Sequence, residues 1–260
     1  IRSSKEVKDA SSRPRKGMVT WRFKIQNTRD VAWAASSAFV QDAARINLPS
    51  GRKCLAISVY PAESIVKNGW QRSTEFTKAA IEFYSKQWFE FPYPAATNVA
   101  GIVGGMEYPG IVFCSSGSSG GDLWGVTDHE FGHTWFPMIV GSNERKYAWM
   151  DEGFNTFINA GSTEVFNKGE FKSTSFFDDP NSSFMVKYTF GESMDGLYNI
   201  PEVIQQGNLG IAAYMKPAQM LTALRDEVLG KERFEAAFRE YISRWAFKHP
   251  TPWDFFHTME

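Results

Sequence analysis

Two histidines four residues apart, His129 and His133 in the segment His-Glu-Phe-Gly-His, constrain this chain more than any other feature. On a helix, residues four apart lie on one face about one turn apart, so both imidazoles can bind one metal ion. Glu152 follows nineteen residues after His133, and residues 151–166 have the pattern of a second helix that returns to the first. Two imidazoles and one carboxylate suit Zn²⁺ and leave the fourth tetrahedral position open for water. We therefore predict one Zn²⁺ per chain at these three residues.

Glu130 lies next to the first histidine, where its carboxylate can reach the metal-coordinated water and act as general base. A structural zinc site would be closed by four protein ligands, but Cys54 and Cys114 are not spaced near the histidines. The His-Glu-x-x-His pattern also arises by chance on ordinary amphipathic helices, and it is Glu152 in a second helix that favours a metal site. The identity of the metal is inferred only from the type of ligand, and Co²⁺ or Mn²⁺ could substitute for zinc.

Composition excludes several classes of partner. Of the 260 residues, 43% are hydrophobic and 15% aromatic, which is enough to bury a sizeable core. The net charge is -1 and no basic run is present, which argues against nucleic acid or an anionic membrane surface as a partner. No stretch approaches the roughly twenty apolar residues that a transmembrane segment needs. The sequence does not determine the compartment.

Hydrophobic periodicity places strands in the first part of the chain and helices in the second, which favours an α+β fold. Strand patterns cover residues 19–25, 31–40 and 54–60, and short apolar runs cover 98–103 and 110–114. Helical patterns cover residues 63–91, 151–166, 211–229 and 231–245, and Gly230 is expected to separate the last two. The metal-binding helix is predicted to run from an N-cap at Asp122 to about Phe136, before Pro137.

Three further segments accompany the metal signature. Gly104-Gly105-Met106-Glu107-Tyr108 precedes the metal-binding helix, Trp149-Met150-Asp151-Glu152-Gly153-Phe154 contains the third ligand, and Tyr214-Met215-Lys216-Pro217-Ala218 comes later. In this order they are similar to Gly-x-Met-Glu-Asn, Trp-Leu-x-Glu-Gly-Phe and Tyr-x-Lys-Gly-Ala, motifs of the gluzincin zinc aminopeptidases typified by aminopeptidase N. The resemblance covers about residues 20–260.

The resemblance implies a thermolysin-like metallopeptidase catalytic domain, in which zinc lies in the cleft between a mixed β-sheet lobe and an α-helical lobe. Residues 1–45 are then a linker and the end of a preceding β domain, and residues 46–260 are the catalytic domain, truncated at its C-terminus. The family also implies an N-terminal β domain and a C-terminal helical domain of the same polypeptide that pack against this chain. The catalytic unit is expected to be monomeric.

The resemblance also implies roles for individual residues. Tyr214 is expected to donate a hydrogen bond to the oxyanion formed during attack on the peptide bond. The segment that binds the substrate is expected to comprise Gly104, Gly105, Met106, Glu107 and Tyr108. Within it, Glu107 would hold the free α-ammonium group, and the glycines would let the substrate backbone pair with an edge strand. The chain departs from the family pattern in two places, with Tyr108 for asparagine and Pro217 for glycine. A proline at the latter position predicts that Tyr214 lies just before a helix start.

These residues favour a zinc aminopeptidase that hydrolyses the N-terminal peptide bond of peptides through a zinc-activated water with a glutamate general base. Two alternatives stay open. The first is a zinc endopeptidase of the same fold, in which Glu107 does not anchor an amine. The second is a non-catalytic peptide-binding scaffold, which predicts the loss of a metal ligand or of the general base.

Overall fold

A computed structural model describes residues 22–66, 68–172 and 194–260 of the chain. Five strands form one sheet, and helices α2 to α6 follow it along the chain. The strands are β1 (Phe39–Asn47), β2 (Lys53–Pro61), β3 (Ala95–Gly101), β4 (Gly105–Tyr108) and β5 (Ile111–Ser115). The α-helices are α1 (Ser73–Gln87), α2 (Gly120–Gly132), α3 (Phe154–Val165), α4 (Lys216–Ala223), α5 (Lys231–Trp245) and α6 (Pro252–Met259).

The sheet has the strand order β1-β2-β3-β5-β4 and is mixed. The inner strands β2, β3 and β5 run parallel, whereas β1 and β4 pair antiparallel at the two edges. Parallel neighbours need a crossover, and α1 provides it between β2 and β3. Along β2, alternate side chains such as Cys54 and Ala56 are buried while Leu55 between them is 40% exposed. The predicted α+β class, with a mixed sheet and an antiparallel edge, is confirmed.

Aromatic rings fill the space between the helices. Phe154 and Phe157 of α3 contact Phe238 of α5 with ring centroids 5.7 and 5.8 Å apart. Phe255 of α6 packs against Phe154 at 4.9 Å. Large buried rings contribute most of the area removed from water on folding, so this cluster fixes where α3 lies. The metal site described below depends on that position.

Several predicted boundaries were wrong. The helix expected over residues 63–91 begins only at Ser73, because the chain makes a tight turn at Gly69, where a Cβ atom would lie 2.7 Å from the carbonyl oxygen of Ser64. The strand expected over residues 31–40 begins only at Phe39; residues 31–38 pair with no strand in the described part of the chain, and Trp33 is 69% exposed. The expected strand at 19–25 lies partly outside the described residues, and residues 22–25 form no strand.

The metal-binding helix also differs at both ends from its prediction. Helix α2 begins at Gly120 behind an N-cap at Ser119, and Asp122 lies inside its first turn. Regular helix ends at Gly132 with His133 as C-cap, not near Phe136. Proline restricts the residue before it to extended conformations, and Phe136 accordingly has φ -136° and ψ 106°. The proline therefore ends the helix earlier than its apolar pattern indicates.

Other expectations agree with the structure. A single wide turn, Trp149–Gly153, leads into α3, in agreement with the helix predicted at 151–166. Gly230 separates the last two predicted helices with φ 79°. The expected domain boundary at residue 45, by contrast, lies inside strand β1, which pairs with β2 along its length. Among the helices in the described ranges, none has the length and apolarity needed to cross a membrane.

Candidate metal centre

Three side chains predicted as metal ligands meet at one point between α2 and α3. His129 lies in the last turn of α2, His133 caps that helix, and Glu152 lies in the turn that leads into α3. The Nε2 atoms of the two histidines are 3.1 Å apart. Glu152 Oε2 lies 3.2 Å from Nε2 of His129 and 3.3 Å from Nε2 of His133. The three atoms therefore form a nearly equilateral triangle.

The size of this triangle fits a zinc ion. Zinc bonds of about 2.0–2.1 Å to nitrogen and oxygen in a tetrahedron place neighbouring ligand atoms about 3.3 Å apart. The carboxylate has a free atom at the right place, because Oε2 of Glu152 is buried and has no hydrogen-bond partner in the described residues. Its other oxygen, Oε1, accepts a hydrogen bond from the Tyr214 hydroxyl at 2.7 Å. The donor set therefore fits Zn²⁺ in both chemistry and spacing.

Charges of the protein itself favour a cation here. Burial lowers the pKa of His133, but the nearby carboxylates of Asp151 and Glu152 raise that pKa well above its ordinary value. For Glu152, burial opposes ionisation, yet contacts with both histidines hold its pKa well below the usual range. The negative charge of these carboxylates can be balanced by a proton on a histidine or by a metal ion. A metal ion that binds displaces the proton.

Both histidines are oriented by polar partners at Nδ1, the ring nitrogen that does not belong to the triangle. His133 is 2% exposed, and its Nδ1 lies 2.7 Å from the carbonyl oxygen of Phe136 and 2.9 Å from Oδ1 of Asp151. His129 Nδ1 lies 3.0 Å from Oδ1 of Asn159 on α3. With Nδ1 as donor, each Nε2 carries a free lone pair that faces the triangle.

Sequence reasoning missed the supports Asp151, Asn155 and Asn159. The sequence does contain a signal for the two asparagines. Residues 152, 155 and 159 are three and four positions apart, so their polar side chains lie on one face of the helix. Asn155 donates to the carbonyl oxygen of His129 at 2.8 Å. Helix α2 can approach this stripe because residue 132 is glycine, where a Cβ atom would lie 1.9 Å from Oδ1 of Asn155. The glycine inside the metal signature thus serves close packing of the two helices.

Glu130, the predicted general base, is 6% exposed and lies beside the triangle. Burial raises the pKa of Glu130 to about 7; the two histidines oppose this increase, and the charges of Glu107 and Glu152 add to it. A Cβ atom on Gly105 would lie 2.1 Å from Oε1 of Glu130. Glycine at 105 therefore leaves room for the carboxylate of Glu130 in this position. This is a different reason from the substrate approach expected from the sequence.

Tyr214 lies in a wide turn, Gly210–Met215, immediately before α4, as the proline at 217 predicted. Its ring stacks on that of His129 with centroids 5.8 Å apart. Burial and the negative charge of Glu152 raise the pKa of Tyr214, so its hydroxyl stays protonated and can donate. The turn rests on Gly153, where a Cβ atom would lie 2.3 Å from Cγ of Pro217.

The segment predicted to bind substrate lies along the open edge of the sheet. Met106, Glu107 and Tyr108 belong to β4 together with Gly105, and Gly104 precedes the strand with open space around its Cα. Within the described residues, β4 pairs with β5 alone, so no strand of that part of the chain covers its other edge. Ligand atoms of Glu107, Glu130 and His133 lie within 4.8 Å of one another. The edge strand therefore delivers a carboxylate directly beside the metal triangle.

Comparison with protein families finds one match that covers most of the chain. The model of the Peptidase family M1 domain matches residues 72–260, which include every predicted site residue. Aminopeptidase M1-C of Oryza sativa subsp. japonica is 26% identical over 198 residues, which cover 70% of this chain and 22% of that protein. Endoplasmic reticulum aminopeptidase 1 of Rattus norvegicus is 25% identical over 205 residues, covering 69% and 21%. The chain thus spans about a fifth of the length of these curated relatives.

Solved structures show the same fold. An M1 zinc metallopeptidase from Deinococcus radiodurans, 17% identical, matches with a TM-score of 0.61 over 85% of this chain and 47% of that one. Aminopeptidase A of Legionella pneumophila in complex with aspartic acid, also 17% identical, matches with a TM-score of 0.63 over 85% and 26%.

Proposed function

Because this chain belongs to peptidase family M1, we propose that it carries the active site of a zinc aminopeptidase that hydrolyses the N-terminal peptide bond of peptides. One observation carries the metal assignment: the triangle of His129, His133 and Glu152, whose edges of 3.1 to 3.3 Å suit tetrahedral zinc. When bound there, zinc supplies a Lewis acid that polarises the scissile carbonyl and lowers the pKa of water.

Glu130 is the general base of the proposed reaction. It takes a proton from the attacking water and later delivers it to the leaving amine. Its position beside the triangle and its burial suit this role, because a base whose pKa lies near neutrality both accepts and releases a proton readily. The carboxylate cannot move far, since the backbone of Gly105 packs against it.

Tyr214 stabilises the negative charge that develops on the carbonyl oxygen. Its hydroxyl donates to Glu152 Oε1 at 2.7 Å, so the group already points toward the metal ligands. During the reaction the same hydrogen turns to the oxyanion. A buried, preorganised donor of this kind is worth more than the same group in water.

Glu107 distinguishes an aminopeptidase from an endopeptidase. Its carboxylate lies within 4.8 Å of ligand atoms of Glu130 and His133, so an ammonium group bound there is one residue from the scissile bond. The open edge of β4 pairs with the substrate backbone, and the segment from Gly104 to Tyr108 lines this side. Substrates without a free amine lose this ion pair.

The polypeptide is proposed to contain further domains around this chain. The matched region is about a fifth of the curated relatives and about half of the Deinococcus radiodurans structure. We therefore retain the proposal that residues 46–260 form the catalytic domain, with residues 1–45 leading in from a β domain. Neighbouring domains would close the cleft over β4.

The test is hydrolysis of fluorogenic dipeptides, each supplied both with a free N-terminus and N-acetylated, by the full-length zinc-loaded protein. Cleavage of the free forms only is expected. Equal cleavage of both forms would remove Glu107 from its role and assign an endopeptidase. Zinc bound at one equivalent with no cleavage of either form would favour the scaffold. Metal analysis of the same sample separates these outcomes from failure to bind zinc.

A further inference from the structure

A line of buried polar groups runs away from the metal triangle behind His129. Asn159 Oδ1 lies 3.0 Å from His129 Nδ1, and Asn159 Nδ2 donates to the Tyr84 hydroxyl at 2.8 Å. The Tyr84 hydroxyl lies 3.0 Å from Ser162 Oγ, and Ser162 donates to Asp128 Oδ2. Tyr84, Ser162 and Asp128 are each at most 1% exposed. We call these four residues, with Asn159 at the head, the relay.

The direction of every hydrogen bond in the relay follows from its far end. A backbone carbonyl oxygen accepts only, and the Ser162 hydroxyl lies 2.9 Å from that of Asn159 and against Asp128 Oδ2, so it donates to one of these two oxygens and not to Tyr84. The Tyr84 hydroxyl then has acceptors only on the side of Ser162 and Asp128, and its hydrogen points there. Its lone pair is left for Asn159, which must present its NH₂ group to Tyr84.

This polarity decides which ring nitrogen of His129 carries the proton. With its NH₂ group turned to Tyr84, Asn159 presents its amide oxygen to His129 Nδ1, which must then be the donor. A second amide competes with Asn159 for this ring nitrogen, because Asn155 Nδ2 lies 3.3 Å from His129 Nδ1. An amide NH₂ group at that nitrogen favours the opposite tautomer, in which Nε2 is protonated and cannot bind a metal. The Tyr84 hydroxyl is the shortest of the contacts that hold the Asn159 amide in this orientation, at 2.8 Å, compared with 3.2 Å to Asn155 Oδ1 and 3.4 Å to the carbonyl oxygen of Asp128.

We infer that Tyr84, Ser162 and Asp128 are positioning residues of the metal centre, which act through the orientation of the Asn159 amide to keep His129 Nε2 free for zinc. The inference rests on the proposed function, since it concerns the same zinc site. His133 does not depend on the relay, because a backbone carbonyl and Asp151 hold its Nδ1 directly. None of the three residues reaches the substrate.

The first test removes one hydroxyl from the core. Tyr84→Phe keeps the ring and deletes the group that fixes Asn159. Loss of an outer partner of a metal-bound histidine costs about 10- to 100-fold in metal affinity, and we expect a loss of this size in zinc competition against a chromophoric chelator. Tyr241→Phe is the matched control, because Tyr241 is also buried and its hydroxyl has no hydrogen-bond partner in the described residues. Equal zinc affinity of Tyr84→Phe and wild type would overturn the inference.

The second test distinguishes polarity from mere packing. Asn159→Asp keeps an oxygen acceptor at His129, whereas Asn159→Leu removes it at similar size. We expect near wild-type zinc affinity in the first and at least a tenfold loss in the second. The ¹⁵N shifts of the zinc-stripped His129 ring report the tautomer, with Nδ1–H expected in wild type and Asn159→Asp and lost in Asn159→Leu. Equal losses in both variants would overturn the inference. A wild-type protein that binds no zinc would instead overturn the proposed function.

Discussion

The two sides of the metal site differ in how deeply their side chains are buried. On the helical side, formed by α2, the turn Trp149–Gly153 and α3, the residues His133, Glu130 and Asp151 are at most 6% exposed. On the sheet-edge side, all four residues of β4 are only partly buried, and one edge of the strand has no partner among the described residues. In the proposed function, the buried helical side holds the reacting groups and the sheet edge receives the substrate.

Glu130→Gln is expected to have the largest effect and tests whether the chemistry lies on the helical side. Glutamine has nearly the same shape but cannot accept the proton, so kcat should fall by about 10³-fold, within the range for general-base loss. Bound zinc should be unchanged, because Glu130 is not one of the proposed ligands.

Steady-state kinetics and metal analysis on one preparation check this result. Glu164→Gln on the exposed side of α3 is the matched control, and it should retain full turnover. Normal turnover in Glu130→Gln would end the assignment of the base.

Tyr214→Phe also acts on the helical side. It removes the donor to the developing oxyanion, and loss of one such donor costs about 10²- to 10³-fold in kcat. KM should change little, since the hydroxyl acts on the transition state rather than on the bound substrate. A rise in KM with constant kcat would place Tyr214 in substrate binding instead.

Gly105→Ala tests the contact between the two sides. The new Cβ atom would lie 2.1 Å from Glu130 Oε1, so the base or the strand must move. A displacement of about 1 Å at a reacting group costs on the order of 10²-fold, and we expect kcat to fall by about this factor. Gly125→Ala on the exposed face of α2 is the control, because nothing lies within 4 Å of its added Cβ and it lies outside the proposed site. If the two variants were equally active, the close approach of β4 to Glu130 would be irrelevant to catalysis.

Glu107→Gln is expected to have the smallest effect and to act only through the sheet edge. A hydrogen bond to a charged group contributes about 1.5–3 kcal/mol, which corresponds to about 10- to 100-fold in kcat/KM for substrates with a free amine. The rate on N-acetylated substrates should not change, which provides the control inside the same experiment. An equal loss on both substrate forms would show that Glu107 supports the site rather than recognises the amine.

The metal triangle could be predicted from sequence because it depends on short-range helical geometry. The spacing of four positions from His129 to His133 determines that both imidazoles share a face of the helix, whatever the rest of the fold does. The supports from Asp151 and Asn159 could not be assigned in the same way. They depend on the distance between α2 and α3, which is fixed by Gly132 and by the aromatic packing of α3.

The predicted element boundaries were wrong where the apolar periodicity continues past a residue that ends the helix or strand. The apolar spacing in residues 63–91 ignores the tight turn at Gly69, and the pattern around Phe136 ignores the restriction imposed by Pro137. Residues 31–40 are apolar enough for a strand, but an apolar run does not reveal whether a neighbouring strand is there to pair with it. Residues 178–181, Asp-Asp-Pro-Asn, have the composition of a loop, and they lie outside the described residues.

The contact between Gly153 and Pro217 has a consequence for how the site moves. Residue 153 follows the proposed ligand Glu152 directly, and the proline ring that touches it lies three residues after Tyr214. Backbone therefore rests on a rigid ring at this point, without a flexible side chain between them. We therefore expect the turn that carries Tyr214 to follow α3 when that helix shifts. The distance between Glu152 and the Tyr214 hydroxyl would then change less than the position of either helix.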